Sequence, residues 1–411
     1  MTCRVLRVGI VGGSLAGLTV ASLLRDQGHD VRVFERATAE LKSRGAGIVA
    51  VDPSFRYLTE RTSLRIDDFS TSVPEVVTLG ADGSELLREH RPHRFTSWAA
   101  LHGALRRVFD DDRYHMASEV RAVDTSTTGA RLHFADGSQT DFDLVVAADG
   151  IGSTIRAQLF PDIHPVDAGY VAWRSAIPAS ALRPAIADLV QGCLVYQLLP
   201  DSHVLVYPIP GSGPGSDAGG PPEDRDDLIN LVWYRNVAPE AMDSLLTDRR
   251  GRRQHTTLQP GMVRSENKKE FRSAAREQLA PQIAEIADAA GQPFIQVVRD
   301  IEVDRMVAGR TVILGDAAFA ARPHAAAGTA KAAADAWALA EELRVGHDLD
   351  AALARWEQHQ LELGRSLVAR TREIGERSQF GGGWKVGEKA FQFGLVEPGQ
   401  MEISTVDARP A

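Results

Sequence analysis

The chain has 411 residues, 44% hydrophobic and 25% charged, which is more than one hydrophobic core normally holds and typical of a water-compatible globular protein. A formal net charge of −9 argues against a nucleic-acid surface, and no apolar run reaches the roughly 18 residues of a membrane span. Two cysteines, Cys3 and Cys193, are too few and too far apart for a disulfide framework or a zinc set, so a soluble protein of the reducing cytoplasm, without a metal site, is expected.

The first element is Arg7 to Arg36. Val8, Ile10 and Val11 read as a buried strand, Gly12-Gly13 as a tight turn, and a helix follows from about Leu15. A second strand, Val31 to Phe34, ends on Glu35. This is a βαβ unit carrying the dinucleotide fingerprint with one departure: Gly12 and Gly17 hold the outer positions, but Ser14 holds the middle one. Serine is small enough to let backbone approach a pyrophosphate, and the helix N-terminus beyond it favours an anion. Glu35, about 20 residues on, suits an adenosine ribose hydroxyl. The apolar run Val8–Val11 is too short for a signal peptide.

Small residues at Ser43–Ile48 can lay backbone against a flat cofactor or simply form a loop. Asp82-Gly83 and Asp136-Gly137 each sit between strand-like runs and read as hairpins, and Leu101, Leu105 and Val108 mark a helix face. Leu144–Ala148 is a buried parallel-type strand. It runs into Asp149-Gly150, Ser153 and Arg156, the strand end where doubly wound folds hold ligands; Arg156 is expected to pair with Asp149.

From about 165 to 300 the signals are successive strands, Tyr170–Ile177, Leu194–Leu199, Val204–Ile209 and Ile229–Tyr234, which predict an antiparallel second layer. Gly211–Asp226 is a low-complexity surface loop. The strand Val312–Leu314 then leads to Gly315-Asp316, Pro323, His324 and a helix opened by Gly328 and Thr329. Asp316 is placed to accept from a polyol, and the small neighbours of Pro323 leave room for a planar ring. A nucleotide unit at one end and this strand–Asp–helix at the other fit FAD. Leu349, Leu353, Trp356, Leu363, Leu367 and Ile374 form the packing stripe of a last helix over about 349–376. The glycine- and aromatic-rich tail, Phe380–Phe393, is suited to cover an opening or clasp a second subunit.

The ordered segments Gly12-x-Ser14-x-x-Gly17, Asp149-Gly150 with Ser153 and Arg156, and Gly315-Asp316 before Pro323 and Gly328 resemble the three signatures of the single-component flavoprotein aromatic hydroxylases, of which para-hydroxybenzoate hydroxylase is the type. Gly169–Arg174, Tyr207–Gly211, Arg322–Gly328 and Phe391–Leu395 are most similar to the bacterial 2,6-dihydroxypyridine 3-hydroxylases. Trp98, Phe319, Ala326 and Ala330 depart from the broader pattern, where arginine, histidine, glycine and asparagine are usual.

The resemblance implies an α/β fold with an α+β second layer. A Rossmann-like FAD-binding domain (1–164 and 301–345) would carry an inserted antiparallel-sheet substrate domain (165–300, with 50–100 contributing) and a C-terminal helix and tail (346–411). It implies a monooxygenase in which NADH or NADPH reduces FAD, oxygen adds to give a C4a-hydroperoxyflavin, and a small electron-rich aromatic ring, such as 2,6-dihydroxypyridine, attacks it. With no second dinucleotide fingerprint, the nicotinamide must bind transiently. Cofactor contacts are expected from Gly12, Ser14, Gly17, Glu35, Arg36, Arg44, Asp149, Asp316, Gly328 and Thr329. His324 is the candidate proton acceptor and Tyr207 the candidate orienting hydroxyl; Trp173, Tyr234 and Pro323 are candidate pocket walls, and Arg174 is expected in a structural ion pair. A homodimer is expected, without nucleic-acid or membrane partners. The alternatives are a monooxygenase or epoxidase of a larger natural product, and a flavin- or ligand-binding protein without turnover.

Overall fold

A computed structural model describes residues 5–39, 47–211, 220–222, 225–345 and 348–400. Arg7–Val11 lies at the centre of a six-stranded sheet among the described residues, between Leu144–Ala147 and Asp30–Phe34, with Thr311–Ile313 and Tyr114–His115 outside them, all parallel. Val307–Ala308 closes one edge antiparallel to Thr311–Ile313. The central strands are buried on both faces, which is why they read as uninterrupted apolar runs. The fingerprint turn explains its own residues. Gly12 sits at φ +101°, and a Cβ on it would stand 2.5 Å from the Ala148 carbonyl oxygen; one on Gly17 would stand 1.9 Å from the Gly12 oxygen. Helix Leu15–Asp26 starts there and presses Leu18, Val20 and Leu24 into the core.

Among the described residues the second sheet has nine strands. In order they are Thr257–Leu258, Phe294–Asp300, Val166–Pro178, Leu228–Asn236, Ser202–Ile209, Cys193–Leu199, Thr71–Leu79, Glu85–Ser97 and Gly47–Val49. Its reach differs from a sheet built from 165–300 alone, because three strands come from 47–97. Thr71–Leu79 pairs parallel with Cys193–Leu199 and so covers what would otherwise be an open edge. Strand alternation divides the sheet's side chains cleanly. Val171, Trp173, Val195, Val204, Val206, Leu231 and Trp233 face helices Ser265–Gln278 and Pro281–Ala289 and form one core with them. Tyr170, Ala172, Tyr196, Leu205, Tyr207, Val232 and Tyr234 face the other way, toward the start of helix Gly328–Val345.

Helix Leu349–Gln379 clamps the two sheets. Its stripe is buried at Leu353, Trp356, Leu367 and Ile374, and the Trp356 indole donates to the Asp335 carbonyl at 3.0 Å. Near its end, Gly375 lets the helix approach Tyr170 and Arg322, whose atoms lie 2.7 and 2.8 Å from where a Cβ would be. The tail then turns back over the second sheet. Arg377 donates to the Gly383 carbonyl and to Glu388, and Arg370 donates to the carbonyls of Gly394 and Val396. No helix among the described residues is long and apolar enough to cross a membrane, and no His/Cys/Asp/Glu group there is arranged to hold a metal ion.

Candidate active site

Two cavities meet at the end of the first strand and share Ser14, Ala148 and Gly150 as walls. The smaller, of about 240 Å³, is lined by Gly12, Phe34, Glu35, Arg36 and Asp149. The larger, of about 310 Å³, runs from there to the second sheet, between Asp316, Pro323, His324, Gly328 and Thr329 on one side and Arg174, Tyr196, His203, Tyr207 and Tyr234 on the other. Trp98, Trp384 and Phe393 close its margins. Together they form one elongated trough of the size that small-molecule sites usually have.

The smaller end has the donors and acceptors of a nucleotide site. Ser14 stands at the N-cap of the first helix without capping it, so the first-turn N–H groups, which have no intrahelical acceptors, are left for an anion. Glu35 is buried, and its two carboxylate oxygens accept from the Gly13 and Ala37 N–H groups, both at 2.9 Å. That fixes its orientation and leaves lone pairs toward the cavity. Asp149 accepts from Thr154 N–H at 2.9 Å through one oxygen, while the other is buried with no partner. Burial raises its pKa. Arg156 corrects an expectation: among the described residues it donates to the carbonyls of Ala317 and Ile151 instead of pairing with Asp149, and so ties the second signature to the third. Gly17 supports the turn from beneath. Arg36 is exposed at the rim, and Arg44 lies outside the described residues.

At the other end Asp316 opens into the trough. Its surroundings desolvate it and push its pKa up to about 6; Lys331 pulls the other way, and Asp335 adds to the rise. Lys331 and Asp335 form a fully buried pair at 2.5 Å, and Asp335 also accepts from the Gly315 N–H at 2.9 Å. One buried carboxylate thereby holds the turn that presents Asp316.

The aromatic wall is made by alternation. Tyr207 stacks on Phe95 with ring centroids 4.2 Å apart, and burial raises its pKa against the opposing effect of Arg174. Arg174 is not in an ion pair among the described residues. It donates to the Gly47 carbonyl and the Gln296 side chain and faces the trough. Trp173, expected as a pocket wall, is one residue away and therefore on the opposite face, stacked on Phe271 at 4.7 Å. Period-two geometry makes Arg174 and Trp173 mutually exclusive as wall residues.

His324 is 3% exposed, and the Tyr170 hydroxyl lies 2.6 Å from its Nε2. Burial, reinforced by Arg322, pushes its pKa down to about 3, so it is neutral but a weak proton acceptor. His203, which the motif reading missed, stands on the sheet side of the trough, opposite His324, with its ring 5.2 Å from that of His324 and 4.7 Å from Tyr234. Desolvation, then His324, lowers its pKa well below the usual value. The signal that finds it is strand alternation: two steps of two back from Tyr207 through Leu205. Tyr196 was likewise reachable only by placing the strand faces, whereas Trp384 and Phe393 belong to the tail expected to cover an opening.

These features fit a flavin nucleotide: a trough with an uncapped helix start, an orphaned buried carboxylate oxygen and glycines that a Cβ would fill. Comparison with known proteins agrees. Residues 10–39 match the NAD(P)-binding Rossmann-like domain family, and residues 167–300 match the FAD binding domain-like family. The chain is 35% identical over 402 residues to 2,6-dihydroxypyridine 3-monooxygenase of Paenarthrobacter nicotinovorans, covering 97% of this chain and 98% of that one. It is 33% identical over 260 residues to 3-amino-4-hydroxybenzoate 2-monooxygenase of Streptomyces cremeus, covering 58% and 64%. The solved structure of 2,6-dihydroxypyridine-3-hydroxylase from Arthrobacter nicotinovorans superposes with a TM-score of 0.89 at 34% identity, over 97% of this chain and 98% of that one. With its trough, its three ordered signatures and full-length relatives in accord, the chain belongs to the single-component FAD-dependent aromatic-ring monooxygenases, which use NAD(P)H as co-substrate.

Proposed function

We propose that this enzyme hydroxylates a small hydroxylated pyridine, with 2,6-dihydroxypyridine the first compound to test. The observation that carries the reading is the wall of the trough beyond Asp316. It is closed by Trp384 and Phe393 and lined by neutral imidazoles, tyrosine hydroxyls and the Arg174 cation, a setting for one polar ring. The full-length similarity to a dihydroxypyridine hydroxylase supports the same substrate class.

In this reading Gly12, Ser14, Gly17, Glu35, Arg36 and Asp149 hold the adenosine diphosphate end of FAD, and Asp316, Gly328 and Thr329 hold the ribityl and ring end. Arg44 is kept as a further candidate from its place in the sequence. Bound FAD, once reduced by NAD(P)H, supplies the activated oxygen. The chain's own work is to dry the trough, to orient the ring and to manage its hydroxyl proton. Tyr207 and Tyr234 orient, Pro323 walls, and His324 accepts or donates through a nitrogen set by Tyr170. The low pKa of His324 favours orientation over proton abstraction. A cytoplasmic homodimer completes the reading.

Substrate-dependent NAD(P)H oxidation with a panel of hydroxypyridines, phenols and polycyclic natural products tests it. Stimulation by 2,6-dihydroxypyridine with a hydroxylated product supports the assignment; stimulation by polycyclic compounds alone rejects it, and FAD binding without oxidation by any ring would make the chain a flavin-binding protein.

A further inference from the structure

Gln379 is the last residue of helix Leu349–Gln379 and is fully buried. Its backbone carbonyl accepts from Asn236 at 2.6 Å, which fixes its place, and its side-chain Nε2 lies 3.1 Å from Nδ1 of His203. With the Gln379 amide turned so that its nitrogen faces His203 and its oxygen is buried without a partner among the described residues, the nitrogen donates, His203 Nδ1 accepts, and the ring hydrogen sits on Nε2. Nε2 is the nitrogen left to the trough that His203 lines. His324 lies on the neighbouring loop. The Tyr170 hydroxyl lies 2.6 Å from His324 Nε2, with the Arg322 guanidinium over the Tyr170 ring, and His324 Nδ1 is buried with no hydrogen-bond partner among the described residues.

We propose that Gln379 is a positioning residue: it locks His203 as a hydrogen-bond donor to the trough, so that the substrate is taken there through an oxygen that has already lost its proton. This rests on the reading above that the ring carries an ionisable hydroxyl, and it names the ionic form that is bound. Other groups around His203 agree in sign. His324 and Tyr234 face it as neutral groups, and Arg174 brings a positive charge from the next strand but one. Asp316, across the trough, is the acid on its wall. Tyr170, Tyr196 and Tyr207 all have raised pKa values, because burial disfavours their anions, and so remain donors.

The tautomer is read directly, without substrate, from two-bond nitrogen–proton correlations of the ¹⁵N-histidine-labelled holoenzyme, with His203→Gln assigning the signal. The expected pattern is hydrogen on Nε2 in the wild type and on Nδ1 or both nitrogens in Gln379→Glu; hydrogen on Nδ1 in the wild type overturns the proposal. Kinetically, Gln379→Glu raises KM about tenfold, the value of one hydrogen bond to a charged group, with FAD retained and kcat moved less. The same substitution made in His203→Gln adds little, because there is no tautomer left to set. An equal rise in both backgrounds means a merely structural role and overturns the proposal. The acid limb of kcat/KM moves with the ionisation of whichever ring is used; a limb fixed across rings assigns it to the protein and refutes capture of the anion. If phenols are turned over and hydroxypyridines are not, only the substrate assignment falls, since spectrum and KM are then read with the phenol.

Discussion

The Tyr170 hydroxyl and His324 Nε2 stand 2.6 Å apart in a buried pocket, at the junction of the second sheet with the loop before helix Gly328–Val345. Replacing Tyr170 by Phe strands a buried ring nitrogen, which costs about 1–3 kcal/mol of stability. His324 also loses its orientation. We expect Tyr170→Phe to unfold at lower urea, to keep FAD, and to lower kcat/KM by about tenfold or more, the equivalent of one such hydrogen bond. Unchanged turnover would remove the pair from the site.

Ala326 sits at φ +54°, in the left-handed region, at the position where the family pattern has glycine. An L-residue there costs about 1 kcal/mol or more. Ala326→Gly is therefore expected to raise the unfolding free energy by about 1 kcal/mol, with turnover retained. Chemical denaturation checks it.

Lys331 and Asp335 are 1% and 0% exposed and bonded to each other. Lys331→Met leaves a buried carboxylate uncompensated and is expected to cost about 3–5 kcal/mol. Lys331→Met with Asp335→Asn recovers much of that loss, because no charge is then buried and an amide oxygen can still accept from Gly315. A double variant no more stable than the single one would show that the charge itself is not the problem.

Trp384 closes the trough, with its ring 4.6 Å from His203 and stacked on Phe391. Trp384→Ala opens that end to bicyclic rings and to water. Hydroxyquinolines are expected to become substrates, and the fraction of NAD(P)H ending as hydrogen peroxide to rise. Product analysis and a peroxide assay give the readout.

Burial lowers the pKa of His93 to about 4, with the Arg91 carbonyl opposing, and that of His324 to about 3; His203 is lowered as well. Below the unfolded value near 6.5, the unfolded chain binds protons that the native state refuses. Stability present above that pH is thus lost as pH falls, by up to about 1.4 kcal/mol per pH unit for each histidine. Asp316, whose pKa is raised to about 6, works in the opposite sense and is half protonated by that pH, so pH 8 to about 6.5 is the cleanest window. Urea midpoints across it should fall, and fall less in His93→Asn.

The nucleotide end was legible because its residues are consecutive and chemically forced. Gly12 and Gly17 have no room for a Cβ, and Glu35 sits one strand later with its oxygens on backbone N–H groups. The second sheet was legible as strands but not as a whole, since the pairing of Thr71–Leu79 with Cys193–Leu199 joins segments more than a hundred residues apart. Trp173 was misplaced for want of strand phase: nothing local says which of two neighbouring side chains faces a ligand. The same phase, anchored on Tyr207, would have delivered His203. Gln379 carries no motif at all and acts only through where the long helix ends, while Trp384 was legible only as part of an aromatic tail with two open roles.

The tail that turns back over the second sheet has a consequence for how the protein is made. Gly47 and Trp98 line the trough, but Trp384 and Phe393, which close it, are made more than 280 residues later. A nascent chain can display its flavin pocket long before it can seal it, so a polypeptide cut short before Phe380 would hold a wet ring and spend reductant without making product.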